Sequence, residues 1–328
     1  MRRREFIAGL TVAATWPLLA RAQQLNVAVV GLLSAVTFGG PYAVPVAAIR
    51  RGLEAAGFVE GQNLAIEYRS AGGAYERLPE LATELVKSRA TVIVAIGVST
   101  PELVAMAAAS PVPMVFAMGS DAAEVGLIDR LNRPQASVAG ASATAGPASD
   151  RVGLLLDLRP GATSLVGYLD NSRRSGAFDA NVDSVTAAVR LRGRELAVFD
   201  AGTEEEVEIA FAQIALRRVR SLVVGPDAFL MTRQEQIIDL AAQSATATIY
   251  ATRDAVRLGG LMSYGVLTND MYRAAGVYAG RILQGATPAE LPVMLPTRFE
   301  LVINKTTAKA LRITVPGPLL ARADAIIE

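Results

Sequence analysis

Short, continuously apolar runs alternate with longer amphipathic stretches along this chain, and the alternation starts afresh near its middle. The first series of runs is Val27–Leu33, Leu64–Tyr68, Thr91–Ile96, Pro113–Met118 and Ser137–Gly140, with helical patterns such as Tyr42–Ala56 and Leu78–Arg89 between them. A strand with one wet face alternates apolar and polar residues, whereas these runs are apolar at successive positions and need cover on both faces. Strand, helix, strand in that order predicts a parallel sheet clothed by helices on each side. The second series is Leu165–Leu169, Glu195–Phe199, Ser221–Val224, Thr248–Tyr250 and Leu261–Ser263, with helices expected near Asp179–Leu191, Glu204–Val219 and Thr232–Gln243. Two sets of similar size predict an α/β protein of two similar lobes, each a doubly wound parallel sheet.

The join falls near Ala141–Asp150, "ASATAGPASD", rich in small residues and proline. Beyond the second series the pattern loosens. Met271–Gln284 reads as a helix, "GATPAELPVMLPT" as an extended strip, Arg298–Ile303 as a strand, and Asn304–Leu311 and Pro318–Ile327 as two closing helices. The expected division is residues 25–142 with about 266–296 in the first lobe, and 143–265 with about 297–328 in the second.

Ahead of both series stands "MRRREFIAGLTVAATWPLLARAQQ". A basic start, an apolar stretch and small residues around Ala20-Arg21-Ala22 are the features of an export signal. Phe6–Ala20 falls short of the ~20 apolar residues of a membrane span, and Pro17 interrupts it. Arg3-Arg4-Glu5-Phe6-Ile7 also resembles a twin-arginine address. Residues 1–22 are therefore expected to be a cleaved signal, leaving an exported chain with no membrane insertion.

Composition removes much chemistry. There is no cysteine and no histidine, so no disulfide framework, thiol nucleophile, cysteine/histidine zinc site or Ser-His-Asp triad is available. The net charge is +1, and Arg2, Arg3, Arg4 and Arg21 against Glu5 supply more than that surplus. The remainder is slightly acidic and carries no electrostatic footprint for nucleic acid. The chain holds no GxxxxGK[ST] loop, no GxGxxG after its first strand, no GxSxG elbow and no EF-hand loop. These absences point to binding rather than catalysis, with no cofactor expected.

In open parallel sheets ligands meet the loops at the carboxyl ends of the strands. In the first half these loops run from Ser34, from Gly97 to Glu102 ("GVSTPE") and from Gly119 to Glu124 ("GSDAAE"). In the second half they are Asp170–Phe178, Asp200–Glu206, Gly225–Phe229 and Ala251–Ala255. Several of their polar residues also fit plain helix capping. Thr203 with Glu206 and Ser99 with Glu102 match the capping box, and Asp121 and Asp227 suit single caps. We assign Thr203–Glu206 to capping outright. Taken together, the hydroxyls, amides and aromatics at the strand ends of both halves suit a small organic ligand held by hydrogen bonds and stacking. Arg173, Arg174 and Arg253 are the cations suited to meet a ligand carboxylate.

Long ordered segments carry a resemblance over essentially the full chain. They are "GLEAAGFVEGQNLAIEYRSAGGAYERLPELATELV" (Gly52–Val86), "GLIDRLNRPQASVAG" (Gly126–Gly140), "GGLMSYG" (Gly259–Gly265) and "AGRILQGATPAELPVMLPTRFELVINKTTAKAL" (Ala279–Leu311). They resemble the periplasmic substrate-binding proteins of ABC transporters, in the group that includes receptors for tryptophan and other aromatic amino acids. The resemblance implies a type I periplasmic-binding fold, with a three-strand hinge and a ligand cleft between the lobes. It departs from the family where Ser120-Asp121-Ala122 lacks the usual proline and where "DNSRRSG" replaces a shorter polar run.

From the loops and the resemblance together, the candidate ligand-binding residues are Ser34, Val98, Ser99, Thr100, Ser120, Asp121, Asn171, Arg173, Phe178, Asp227, Tyr250, Arg253 and Tyr264. The implied activity is capture of an amino acid or related carboxylate for an ABC transporter permease by a monomeric periplasmic receptor. The alternative is a receptor of the same kind that reports to a membrane sensor kinase. A two-lobed transferase is disfavoured by the missing phosphate loops, and a sugar-responsive repressor by a signal where a DNA-binding helix pair would stand.

Overall fold

Each apolar run forms a strand of one of two sheets in the computed structural model, which describes residues 27–98, 100–118, 138–142, 148–159, 161, 164–172, 177–294 and 298–328. The expected signal, residues 1–22, lies outside the described residues. The first sheet is built from β1 (Ala28–Ser34), β2 (Leu64–Ser70), β3 (Val92–Ile96), β4 (Met114–Met118) and β5 (Val138–Ser142) in the order β2-β1-β3-β4-β5, all parallel. β3 and β4 are buried at every residue, which is why their sequences show no polar alternation. Leu32, Val94 and Val115 look into one apolar cluster, and Leu33, Ile93 and Phe116 into another on the opposite face.

The second sheet repeats this plan. β6 (Leu165–Asp170), β7 (Glu195–Asp200), β8 (Ser221–Val224), β9 (Ala247–Tyr250) and β10 (Met262–Val266) run parallel in the order β7-β6-β8-β9-β10. Beyond β10 the sheet continues with β11 (Phe299–Asn304), antiparallel to β10, and β12 (Ala325–Ile327), parallel to β11. Tyr168 and Ile249 face one core of this sheet, and Leu169 and Phe199 the other. Both lobes are doubly wound α/β units with the same order of their first five strands.

The closing segment corrects one expectation. Only Gly317–Arg322 of the region read as a last helix is helical, and Ala325–Ile327 is a strand. Asp324 turns the chain: its N–H donates to the Leu301 carbonyl at 2.9 Å and its Oδ2 accepts from the Leu301 N–H at 2.8 Å. Those two bonds fix the register of the next three residues against β11, and tertiary pairing overrides their local pattern. The capping reading at Thr203 is modified in detail. Thr203 Oγ1 accepts from the Glu206 N–H at 3.2 Å, but Glu206 Oε2 accepts from the Gly202 N–H at 2.8 Å, one residue before the box position.

The chain passes between the sheets three times. It leaves the first sheet after Ser142 and enters the second at Leu165. After Val266, whose side chain already sits in a first-lobe core, the helix Thr268–Leu283 packs back on the helix Ala43–Ala55. Leu291 is buried in that same core, and the Met294 N–H donates to the Gly140 carbonyl at 3.0 Å before the chain returns at Phe299. Among the described residues, no helix is long and apolar enough to cross a membrane.

Candidate functional site

The carboxyl ends of β1 and β3 in the first lobe, and of β6 and β8 in the second, supply the loops that bring the lobes together. β1 ends on Ser34, which is fully buried; its Oγ accepts from the Val36 N–H at 3.2 Å and its carbonyl from the Ala71 N–H at 2.9 Å. After β3 the chain turns at Gly97 with φ +67°, a left-handed conformation that costs a side-chain-bearing residue energy. A Cβ at Gly97 would lie 3.1 Å from Tyr42 Oη and 3.2 Å from Ala228 Cβ. Ala228 belongs to the second-lobe loop, yet it is buried in a first-lobe core cluster. The bare glycine backbone is what lets the two lobes approach here.

In the second lobe two buried carboxylates organise the strand ends. Asp170 closes β6 and is 0% exposed. Its Oδ2 accepts from Tyr168 Oη at 2.6 Å and Asn181 Nδ2 at 3.0 Å, and its Oδ1 from the Asn171 N–H at 2.9 Å. A buried carboxylate is tolerated only when so surrounded by donors. Gly225, after β8, presses on it: a Cβ there would fall 2.6 Å from Asp170 Cγ. The packing brings the Gly225-Pro226-Asp227 loop alongside Asn171.

Asp227, also 0% exposed, caps the short helix Ala228–Thr232 through Oδ1, which accepts from the Leu230 N–H at 2.9 Å. The same oxygen lies 3.4 Å from Asn171 Nδ2. Its Oδ2 accepts from Tyr75 Oη, of the first lobe, at 2.9 Å. The capping reading of Asp227 therefore holds, and it describes half of what the side chain does. A chain of polar contacts runs from Asp170 through Asn171 and Asp227 to Tyr75, across the line where the lobes meet.

The remaining sequence candidates are placed as follows. Val98 is buried in a first-lobe core, and Thr100 opens the helix Thr100–Ala109. Phe178 is half-buried in the first turn of the helix Ala177–Leu191. Ser99, Ser120, Asp121 and Arg173 lie outside the described residues. Tyr250, Arg253 and Tyr264 each meet a side chain of the second lobe. Tyr250 is buried with Leu230 and Ala255, Thr248 Oγ1 donates to its hydroxyl at 3.2 Å, and burial holds that hydroxyl's pKa above the usual tyrosine range. The carboxylate that Arg253 meets is Glu300 of this chain, at 2.8 Å. The antiparallel register sets Glu300 opposite Gly265, whose backbone lies against Ala251. Tyr264 stacks on Phe299 with ring centroids 5.6 Å apart and reaches Asp150 Oδ2 at 3.5 Å; its pKa is raised, first by burial and then by Asp150.

Sequence reasoning set Gly97 and Asp170 at the heads of candidate loops without making either a ligand contact, and it missed Tyr75. Tyr75 sits in a quoted segment, "GGAYERLPE", but nothing local marks a tyrosine there as meeting a carboxylate 152 positions away.

Two doubly wound lobes, three crossings between them, and buried polar groups where their strand ends meet define a bilobal binding protein of the type I periplasmic-binding fold. The family described as ABC transporter substrate binding protein matches residues 34–327, and the chain belongs to that family. Among curated relatives, a tyrosine-binding protein of Clostridioides difficile (strain R20291) is 24% identical over 262 residues, covering 80% of this chain and 74% of the relative. Among solved structures, a conserved domain protein from Vibrio cholerae matches with a TM-score of 0.82 at 26% identity. An ABC domain in complex with L-Trp from Streptococcus pneumonia matches with a TM-score of 0.81 at 24% identity. Each of these two matches covers 92% of this chain and 99% of the other.

Proposed function

We propose that this chain is the exported receptor of an ABC importer, and that it captures an aromatic amino acid between its lobes by hinge closure and presents it to a membrane permease. The observation that carries the reading is the cluster of buried polar side chains, Ser34, Asn171, Asp227 and Tyr75, at the facing strand ends of the two lobes. An amino acid offers both a cation and an anion, and Asp227 is an acceptor suited to an ammonium. Thr100 and Phe178, each in the first turn of its helix, and the sequence candidates Ser99, Ser120, Asp121 and Arg173 complete the proposed site. The tyrosine-binding relative and the L-Trp complex support the aromatic class. Capture of this kind needs no acid, base or metal: the ligand stabilises the shut arrangement by its differential affinity for it. After signal removal the receptor acts as a periplasmic monomer.

Thermal-shift screening of the purified mature chain tests this directly, because a ligand that binds only the folded state raises its apparent stability. L-tryptophan or L-tyrosine is expected to raise the transition, with calorimetry giving a stoichiometry of about one. A shift with a sugar, and none with amino acids or aromatic carboxylates, would overturn the ligand class.

A further inference from the structure

We propose that Tyr75 is a positioning residue of this site, whose hydroxyl holds the Asp227 carboxylate from the opposite lobe only while the lobes are shut and thereby sets how fast the cleft reopens. The inference rests on the receptor reading above and adds to it a residue that the loops read as ligand contacts do not include.

Among the described residues, the two oxygens of Asp227 hold hydrogen bonds on different lobes. Oδ1 takes the Leu230 N–H and Asn171 Nδ2, both within the second lobe, so those bonds persist whatever the first lobe does. Oδ2 takes Tyr75 Oη, and that bond breaks when the lobes part. The donor is carried on a rigid mount. The Ala71 N–H donates to the Ser34 carbonyl at 2.9 Å and the Gly73 N–H to the Ala35 carbonyl at 2.8 Å, which ties the turn before Tyr75 to the end of β1. Gly72 and Gly73 take φ +62° and +95° to make that turn. The Tyr75 ring is then buried among Leu33, Leu78 and Leu81 of the first-lobe core.

A hydrogen bond to a carboxylate in a water-excluded place is among the stronger ones a protein makes. Reopening exchanges it for water, so it slows departure from the shut state more than it affects entry. A purely structural tyrosine would behave otherwise, since its contribution would lie in the ring and would survive loss of the hydroxyl. Tyr75→Phe separates the two roles.

The test uses the mature chain with Glu80→Cys and Glu205→Cys, both exposed positions on different lobes, as dye sites. The natural sequence has no cysteine, so labelling is confined to them. In single-molecule energy transfer without added ligand, Tyr75→Phe is expected to enlarge the population with the lobes apart. In stopped flow with L-tryptophan, the dissociation rate should rise about tenfold while the association rate stays within about twofold. In an Asp227→Ala background, which offers the hydroxyl no side-chain acceptor, the same substitution should add nothing to the population with the lobes apart. Unchanged distance distributions and dissociation rates would overturn the proposal, as would full additivity with Asp227→Ala. If L-tryptophan does not bind the parent chain, the ligand reading fails, and the distance distributions still decide the role of Tyr75.

Discussion

Gly276 lies with its Cα against the backbone of Ile49, so closely that a Cβ built on it would stand 2.1 Å from the Ile49 carbonyl oxygen. The contact is reciprocal, because a Cβ at Gly52 would stand 2.1 Å from the Arg273 carbonyl. The helices Ala43–Ala55 and Thr268–Leu283 therefore cross backbone to backbone. That crossing is what returns the chain to the first lobe after the second sheet is nearly complete.

Gly276→Ala is accordingly expected to destabilise the protein by about 2 kcal/mol or more, although alanine is the better helix former by ~1 kcal/mol. The obstruction is backbone, which cannot swing aside as a side chain would. Chemical denaturation followed by circular dichroism checks this, and a variant as stable as the parent would mean that the helices cross farther apart.

Gly97 makes a separate prediction about binding. An alanine there suffers a strained backbone, costing ~1 kcal/mol, and sets a methyl against Tyr42 Oη and Ala228 Cβ at the meeting of the lobes. The expected result for Gly97→Ala is a roughly tenfold loss of L-tryptophan affinity by calorimetry, with a native circular dichroism spectrum. Undiminished affinity would show that the bound form does not bring the lobes together at this glycine.

Among the described residues, Asp170 accepts from three buried or half-buried donors. Asp170→Leu should cost about 3 kcal/mol or more, because Tyr168, Asn181 and the Asn171 N–H each lose an acceptor while buried or half-buried. The measurement is a denaturation midpoint, paired with a second variant, Asn181→Ala, expected to cost less since it removes one donor and leaves the carboxylate its others.

Alkaline stability follows from two buried tyrosines. Burial raises the pKa values of Tyr250 and Tyr272 in the folded protein, whereas the unfolded chain loses those protons near pH 10. Above pH 10 the unfolded state thus binds fewer protons than the folded one, and stability declines as pH rises. Below pH 10 both states hold the protons and the stabilisation is complete. Each group should contribute a slope of about 1.4 kcal/mol per pH unit above that point. Unfolding midpoints measured from pH 8 to 11 should fall, and Tyr272→Phe should flatten the decline; an unaltered slope would mean that Tyr272 ionises in the folded state.

The strands were legible because burial on both faces leaves an uninterrupted apolar run, and a run such as Val92–Ile96 has no other economical place to go. The tail was less so. Ala325–Ile327 is only three residues long, too short to carry a period of its own, and Asp324 determines its pairing by gripping Leu301. At the site, Asn171 and Asp227 drew notice as polar residues after apolar runs. Gly97 drew notice only as the head of a loop and Tyr75 not at all, since their significance lies in what comes near them from the other lobe.

By itself the sequence determined the fold class, the repetition of one sheet plan in two lobes, and the absence of imidazole and thiol chemistry, because these depend on periodicity and composition along the chain. The tertiary structure decided which strand-end residues meet. It sent Arg253 to Glu300, sank Tyr250 into a core, and brought Tyr75 to Asp227. Such pairings arise from the register of sheets and the crossing of the hinge, and separations of that length leave no trace in local pattern.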